Sequence, residues 1–560
     1  LGTVNKTDPQ TEESVAGGDD VGLPFGASQV WRALVGALGQ GRVAARTGAR
    51  LGGELAKITV GRSSVAPAKG DRRFADPAWQ TNPVFHRIVQ TYLASTGALG
   101  EVVDEWAGKG DNPARGHQAK FAASILTSAV APTNFLASNP AALKEAFDTA
   151  GMSLARGIGH YVSDVRHNGG MPSMIEPGAF AVGTDLALTP GAVIARDEVA
   201  EVLQYRPSTD TVHERPVLVV PPPIGRFYFL DLRPGRSFVE HAVSRGLQTF
   251  MLSWRNPQQE QADWNLDTYA ARVSRAIDEV REVTGSDDVN VIGFCAGGLI
   301  TTLLLNHLAA EGDSRVHSMS YAVTMLDFGQ SEQLSTYNAK ALLAFAKFRS
   351  QRKGLISARD MGAAFTWMRP DELVFNYVVN NYLMGRKPPP FDILAWNADG
   401  TNLPGALHGQ FLDIFGGNLL ATPGALTVLG TPIDLSRIEV PTFVSGAIAD
   451  HLTAWKGCYR TTQLLGGDDS TFVLSYSGHI ASLVNPPGNP KAHYWTGKRP
   501  GPDPQAWFDE ASRREGSWWE AWADWVSKRS GPRVRADEDL GSSLHPVLDV
   551  APGRYVRDQI

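Results

Sequence analysis

The stretch DVNVIGFCAGGLITTLLLNHLAAEG, residues 288–312, narrows the possible folds more than any other part of this chain. A short β-branched run stops at Gly293. Cys295 follows, then Gly297 and Gly298, then a long apolar segment of helical character. The pattern predicts a strand that turns sharply into a helix. Glycine suits positions 293 and 297, because side chains at such a turn would strike neighbouring backbone. A helix that begins at the turn aims its partial positive charge at the Cys295 sulfur, which favours the thiolate. Residues 293–297 therefore have the form G-x-nucleophile-x-G, with cysteine in the central place.

The flanking sequence alternates in the same way. RPVLVVPPP reads as a strand, SFVEHAVSRG as a helix and LQTFMLSW as a strand. LDTYAARVSRAIDEVREVTG is an amphipathic helix stopped by Gly285, and VHSMSYAVTML is a further strand. This alternation predicts a mostly parallel sheet covered by helices on both faces. It pauses for about 110 residues, 327–437, too long a stretch for a loop and so expected to be an inserted helical cap. It resumes in VPTFVSGAIADH and TFVLSYSGHI. Upstream, apolar positions such as Val84, Ile88, Tyr92 and Leu93 recur at helical spacing. The expected organisation is a flexible arm over 1–70, with one helix near Val30–Leu38, a helical domain over 71–200 and a catalytic domain over 201–560. Trp518, Trp522 and Trp525 share one helical face near the end, a stripe expected to pack in the core.

Composition excludes several function classes. Apolar residues make up 43% and charged residues 20% of 560, as in ordinary soluble globular proteins. A net charge of −6 provides no basic field for nucleic acid. No apolar run approaches the ~18 residues that span a bilayer, so no transmembrane segment is expected. The segment LGTVNKTDPQTEESVAGGDD lacks the basic-then-apolar order of a secretory signal, and a cytoplasmic location is expected. The two cysteines, Cys295 and Cys458, make no disulfide framework, and no Cys/His cluster has zinc spacing. No metal is expected.

A cysteine at a strand-to-helix turn needs a base. In the α/β-hydrolase order, an acid and then a histidine follow the nucleophile. Asp450 closes the run PTFVSGAIAD and His479 follows FVLSYSG, both at strand ends, where catalytic groups collect in open α/β sheets. His479 would take the thiol proton and Asp450 would fix the imidazole tautomer. The backbone N–H groups of Ala296 and Ile224 are the candidate oxyanion donors. His451, the chain neighbour of Asp450, should point elsewhere. His408 has no strand-end context. Cys458, in AWKGCYRTTQLL, is expected to be a packed thiol.

With these residues placed, the chain resembles the single-subunit poly(3-hydroxyalkanoate) synthases. The resemblance runs from about residue 71 onward through DRRFADPAW, PTNFLASNP, RFYFLDLRPGRS, FMLSWRNP, GFCAGG, MRPDELVFNYVVNNYL, GTPIDLSRI and SGHIASLVNPPGNPKAHYW. It implies an α/β-hydrolase core with an inserted helical cap, preceded by a helical N-terminal domain. It also implies Cys295 as nucleophile, Asp450 and His479 as its partners, and Trp396, in ILAWNADGTNLPG, as a cap residue on the substrate path. This chain departs from the family at Gly225-Arg226, where Asn-Lys is common, and at Ala395, where phenylalanine is common. The motifs around the cap resemble the medium-chain branch more than the short-chain one.

The activity implied is polymerisation of (R)-3-hydroxyacyl-CoA, with CoA as the leaving group and no cofactor. The implied partners are the nascent polyester granule, at whose surface the enzyme would sit, and a second copy in a homodimer. The Trp-rich helix and the N-terminal region are candidate granule contacts. Cysteine suits this chemistry: passing an acyl group from one thioester to another conserves its activation until a hydroxyl attacks. A thioesterase or an intracellular polyhydroxyalkanoate depolymerase on the same fold is the alternative, since fold and triad are shared among chemistries. A non-enzymatic granule scaffold would not need Cys295, Asp450 and His479 together.

Overall fold

In the computed structural model the described residues are 34–39, 41–109, 113–329 and 340–558. Of the arm expected over 1–70, residues 1–33 and 40 lie outside them, as do the first four residues of its expected helix; residues 34–38 are helical. The described part of that arm is not loose. Gly41–Thr59 forms a helix, α1, laid along the long helix α2 (Pro83–Lys109) and tied to it by the ion pairs Arg46–Glu105 and Arg50–Glu101. Only Val43, Thr47 and Ile58 of α1 are buried, so its apolar stripe is thin and its small residues hide the period. Helices α3 (Pro113–Ala129), α4 (Pro140–Asp148) and α5 (Met152–His167) complete the N-terminal helical region.

The sheet begins at Gly191, before the expected boundary at 200. Its strands are β1 (Gly191–Arg196), β2 (Ala200–Tyr205), β3 (Val217–Val220), β4 (Thr249–Trp254), β5 (Val289–Phe294), β6 (Val316–Ala322), β7 (Thr442–Ala447), β8 (Ser470–Ser475), β9 (His493–Thr496), β10 (Ser512–Glu515) and β11 (Asp549–Val550). They form one 11-stranded sheet in the order β10-β9-β8-β7-β6-β5-β3-β4-β2-β1-β11. The centre, from β8 to β4, is parallel, and both margins are antiparallel. Strands β3, β4, β5 and β7 are buried along their whole length, as expected when helices cover both faces.

Helices α6 (Phe238–Ser244), α7 (Leu266–Thr284) and α8 (Ala296–Glu311) follow β3, β4 and β5. Helix α8 is buried on nearly all sides, which is why its sequence carries no polar face. Between β6 and β7 lie α9 (Lys340–Lys353), α10 (Ala358–Trp367), two π-type segments over Asp371–Phe375 and Val378–Leu383, α11 (Asp392–Ala398) and α12 (Gly405–Gly417). After β7 and β8 come α13 (Trp455–Leu464) and α14 (His479–Leu483). The last helix, α15 (Trp518–Ser527), buries Trp518, Trp519, Trp522 and Trp525 against α6 and β7, with Phe238 and Phe443 among the rings they meet. These tryptophans are core, and their helix does not present them as a granule contact.

The N-terminal helices dock on the segment between β6 and β7. Tyr382 Oη donates to Asp164 at 2.8 Å, Asn381 Nδ2 donates to the Ser173 carbonyl at 2.8 Å, and Arg73 pairs with Asp371 at 2.8 Å. At the crossing a Cβ on Gly157 would lie 2.6 Å from the Tyr382 carbonyl carbon and closer still to its oxygen. Gly157→Ala should therefore force α5 away from Tyr382 and destabilise the protein by about 1–3 kcal/mol or more. Gly159→Ala, where a Cβ meets open space, should leave the melting temperature unchanged or raise it slightly. Thermal melts of the two variants check this.

Candidate active site

Cys295 occupies the turn between β5 and α8 with φ +49° and ψ −121°, a conformation that costs a non-glycine residue of order 1–3 kcal/mol. Its surroundings hold it there. Its N–H extends the β5–β6 ladder to the Ala322 carbonyl at 2.9 Å, and its own carbonyl accepts from Gly298 N at 3.1 Å and Thr324 Oγ1 at 3.0 Å. The glycines of GFCAGG have no room for side chains. A Cβ at 293 would lie 2.7 Å from Gly298 N, and one at 297 would lie 2.6 Å from the Pro221 carbonyl oxygen. The close approach at 297 brings the start of α8 against the end of β3.

The loop after β3 begins Pro221-Pro222-Pro223, which have no N–H to give. Ile224 thus carries its first donor. The next amide, Gly225 N, is already used on Thr401 Oγ1 at 2.9 Å. Among the described residues neither the Ile224 nor the Ala296 amide has a protein acceptor. Pro221 is pinned by Trp254 Nε1, which donates to its carbonyl at 2.8 Å.

Strands β7 and β8 are neighbours, paired from Thr442↔Ser470 to Ala447↔Ser475. Asp450 lies three residues beyond the end of β7, and His479 four beyond the end of β8, so their side chains meet. His479 Nδ1 is 2.7 Å from Asp450 Oδ2, which leaves Nε2 for the sulfur. Asp450 Oδ1 accepts from Leu452 N at 2.8 Å and Thr453 N at 3.0 Å, and Oδ2 also accepts from Thr453 Oγ1 at 2.8 Å. The Asp450 side chain is fully buried and that of His479 is 5% exposed.

Burial works against both charges and loses. It pushes the Asp450 carboxyl up, but the His479 imidazole and the hydrogen bonds from His479 and Thr453 hold it below the usual carboxylate range. Burial pushes the His479 imidazole down, but the Asp450 carboxylate and the Cys295 sulfur, each accepting a hydrogen bond from it, hold it up at about 10. At neutral pH the imidazole is therefore a cation, paired with the Asp450 carboxylate and facing the Cys295 sulfur. The arrangement can pull a thiol proton, keep it, and deliver it later.

Cys295, Asp450 and His479 thus come together from three strand ends, with the Ala296 amide at the start of α8 and the Ile224 amide on the loop after β3. Residues 70–242 match the family described as the N-terminus of poly-beta-hydroxybutyrate polymerase (PhaC), and residues 233–486 match the alpha/beta hydrolase fold. Poly(3-hydroxyalkanoate) polymerase 1 of Ectopseudomonas oleovorans is 43% identical over 91% of this chain and 90% of its own length. Poly(3-hydroxyalkanoate) polymerase 2 of the same organism is 44% identical over 90% of each chain. The chain belongs to the poly(3-hydroxyalkanoate) polymerase family. A third member, the polymerase subunit PhaC of Cupriavidus necator, is 38% identical over 89% of this chain and 85% of its own length.

Trp396, His451 and Cys458, singled out in the sequence, fall around this polymerase-family site. Trp396, on α11, lies over the loop after β3. Its Nε1 donates to the Arg226 carbonyl at 2.7 Å, and a Cβ at Gly225 would come within 2.9 Å of its ring. Gly225, at φ +87°, accommodates both the turn and the indole. Trp396, Ala395 and Cys295 pack on the same apolar cluster. His451 is partly buried and feels Arg369 and Glu372 of the inserted segment as well as Asp450 and His479. Cys458 is fully buried and burial pushes its thiol well up, as suits a packed, unreactive group. His408 bonds Ser350 at 2.7 Å in the inserted segment.

Two contributors, Arg226 and Thr453, had no structural role assigned from the sequence. Arg226 is buried and joins the loop after β3 to Asp399 at 2.7 Å and to the carbonyls of Tyr555 and Asp558. No local pattern could announce partners so far along the chain. Thr453 had a local signal, an aspartate followed three residues later by a threonine, the spacing of a side chain-to-backbone turn.

Proposed function

We propose that this chain joins (R)-3-hydroxyacyl units from CoA thioesters into poly(3-hydroxyalkanoate), with Cys295 carrying the acyl group as a thioester. The observation that supports this best is the His479 imidazole held protonated between Asp450 and the Cys295 sulfur. The Cys295 thiolate attacks the acyl carbonyl of the CoA thioester, the Ala296 and Ile224 amides receive the oxyanion, and the C–S bond to CoA breaks. His479 gives its proton to the departing CoA thiolate. One of the charges that held the imidazole proton, the thiolate, is now gone, so His479 is left neutral.

It is then the base for the second half. A 3-hydroxyl loses its proton to His479 and attacks a Cys295-bound acyl group. An oxygen ester forms, the C–S bond breaks, and the Cys295 thiolate returns beside the imidazolium. Atoms and charges balance with the protein and hydroxyacyl-CoA alone, so CoA is a leaving group and no separate cofactor is needed. Thioester-to-thioester transfer is nearly balanced in free energy, and the activation is released only when the ester forms. The inserted segment, including Trp396, excludes water that would otherwise hydrolyse the intermediate. Because the growing chain returns to Cys295 in every cycle, an insoluble product keeps the enzyme at the granule surface. No helix among the described residues is long and apolar enough to cross a membrane.

The test is incubation of the purified protein with (R)-3-hydroxyacyl-CoA of C4 to C10, following CoA release and recovering the product. CoA release with insoluble polyester is expected, greatest with medium-length chains. Stoichiometric free hydroxyacid in place of polymer would instead make the chain a hydrolase.

A further inference from the structure

Outside the reacting pair, one hydroxyl is placed to control it. Thr453 Oγ1 lies 2.8 Å from Asp450 Oδ2 and 3.2 Å from His479 Nδ1, and Thr453 N lies 3.0 Å from Asp450 Oδ1. A single residue therefore grips both carboxylate oxygens, one through its backbone and the other through its side chain. A carboxylate offers about four lone-pair directions. Leu452 N and Thr453 N take two on Oδ1, and His479 Nδ1 and Thr453 Oγ1 take two on Oδ2. Thr453 is itself held at the entrance to α13, where its carbonyl accepts from the buried Cys458 thiol at 3.5 Å.

We infer that Thr453 is a positioning residue: its hydroxyl fills the last acceptor site of Asp450, confining that carboxylate to orienting His479 and reserving the substrate hydroxyl proton for His479 Nε2. This rests on the proposed acyl-transfer reaction for its second clause only. The first clause, that the Thr453 hydroxyl locks the carboxylate against the imidazole, concerns the resting enzyme. Without the hydroxyl, Oδ2 has an open position, the carboxylate can turn, and the imidazolium loses its fixed partner. Removing a hydrogen bond donated to a carboxylate also raises its proton affinity. The titratable and charged groups facing the pair are Cys295 at the start of α8, Cys458 on α13, His451 beside Asp450, and Arg369 and Glu372 of the inserted segment, which reach it through His451.

The test is Thr453→Val, which keeps the branched shape, beside Thr453→Ser, which keeps the hydroxyl. Thr453→Ala serves if valine disturbs the turn. The first readout is alkylation of Cys295 by iodoacetamide as a function of pH, which needs no substrate. A poorly held imidazolium supports the thiolate less, so the rise of alkylation should move to higher pH by about one unit in Thr453→Val and return in Thr453→Ser. The second readout is kcat/KM for CoA release. It should fall about 10- to 100-fold at pH 7, the range for a hydrogen bond to a charged group, with the acid limb displaced upward. Thr453→Ser should come back to within about threefold of wild type. Unchanged alkylation profiles in the valine and alanine variants would overturn the inference, as would a serine variant as impaired as valine. If wild type released no CoA from any hydroxyacyl-CoA, the acyl-transfer reading would fall, while the alkylation profiles would still decide whether Thr453 locks the pair.

Discussion

Cys295→Ala should fold as the wild type does and make no polymer. Alanine has the same backbone requirements as cysteine at φ +49°, so the turn is neither relieved nor further strained. The side chain lost is small and only partly buried. Melting temperature should therefore stay close to wild type. CoA release should fall by a factor on the order of 10⁴–10⁶, the range seen when a covalent nucleophile is removed and only binding and oxyanion donors remain. Residual release within tenfold of wild type would end the assignment of Cys295 as nucleophile. Cys295→Ser sharpens the point. A serine ester spends the thioester's activation at the first step, so this variant should acylate slowly and elongate poorly. Elongation at the wild-type rate would refute the thioester argument while leaving the nucleophile in place.

Asp450→Asn should cost about 10⁴ in kcat/KM, as loss of the orienting carboxylate does in comparable triads. The amide cannot stabilise the imidazolium. Turned with its NH₂ toward His479, it also favours the tautomer that presents a proton, not a lone pair, to Nε2's partner. A second consequence concerns pH and stability. The folded imidazole titrates at about 10 and an unfolded histidine near 6.5. The group is raised on folding, so its stabilisation is fully present below about 6.5 and is lost as pH rises through about 10. Wild-type melting temperature should therefore decline across that window. Asp450→Asn, lacking the partner that does most to hold the imidazole proton, should show a shallower decline. Thermal melts between pH 6 and 10.5 separate the two, and parallel curves would count against the ion pair.

The central sheet was legible because its strands are short apolar runs punctuated by glycine and proline, and because GFCAGG has few steric solutions. Asp450 and His479 could be found from their place at strand ends, since parallel strands bring their carboxyl ends to one edge. The margins were harder. Strand β1, GAVIAR, is six residues in an antiparallel hairpin that precedes the alternation and carries no crossover helix to announce it. Helix α1 buries only Val43, Thr47 and Ile58, too few to mark a face in the sequence. Arg226 stood out only as a departure from the family pattern, and its role was hidden because its partners lie at Asp399, Tyr555 and Asp558. Gly157 reads in sequence as a weak point in a helix, and its use appears only when the Tyr382 backbone is seen against it.

The crossing of α5 over Tyr382 has a mechanical consequence. Where main chain touches main chain, no rotamer can swing aside to let one slide past the other. The stretch 378–385 and α5 are in effect riveted, with Asp164 and Ser173 as further fasteners. Any displacement of that stretch relative to the sheet must carry α5 with it, including the solvent-facing Ile158, Tyr161 and Val165. The linkage transmits force both ways: a load applied to those three side chains is felt along the same piece of chain that leads back to Arg369 and Glu372, the neighbours of His451.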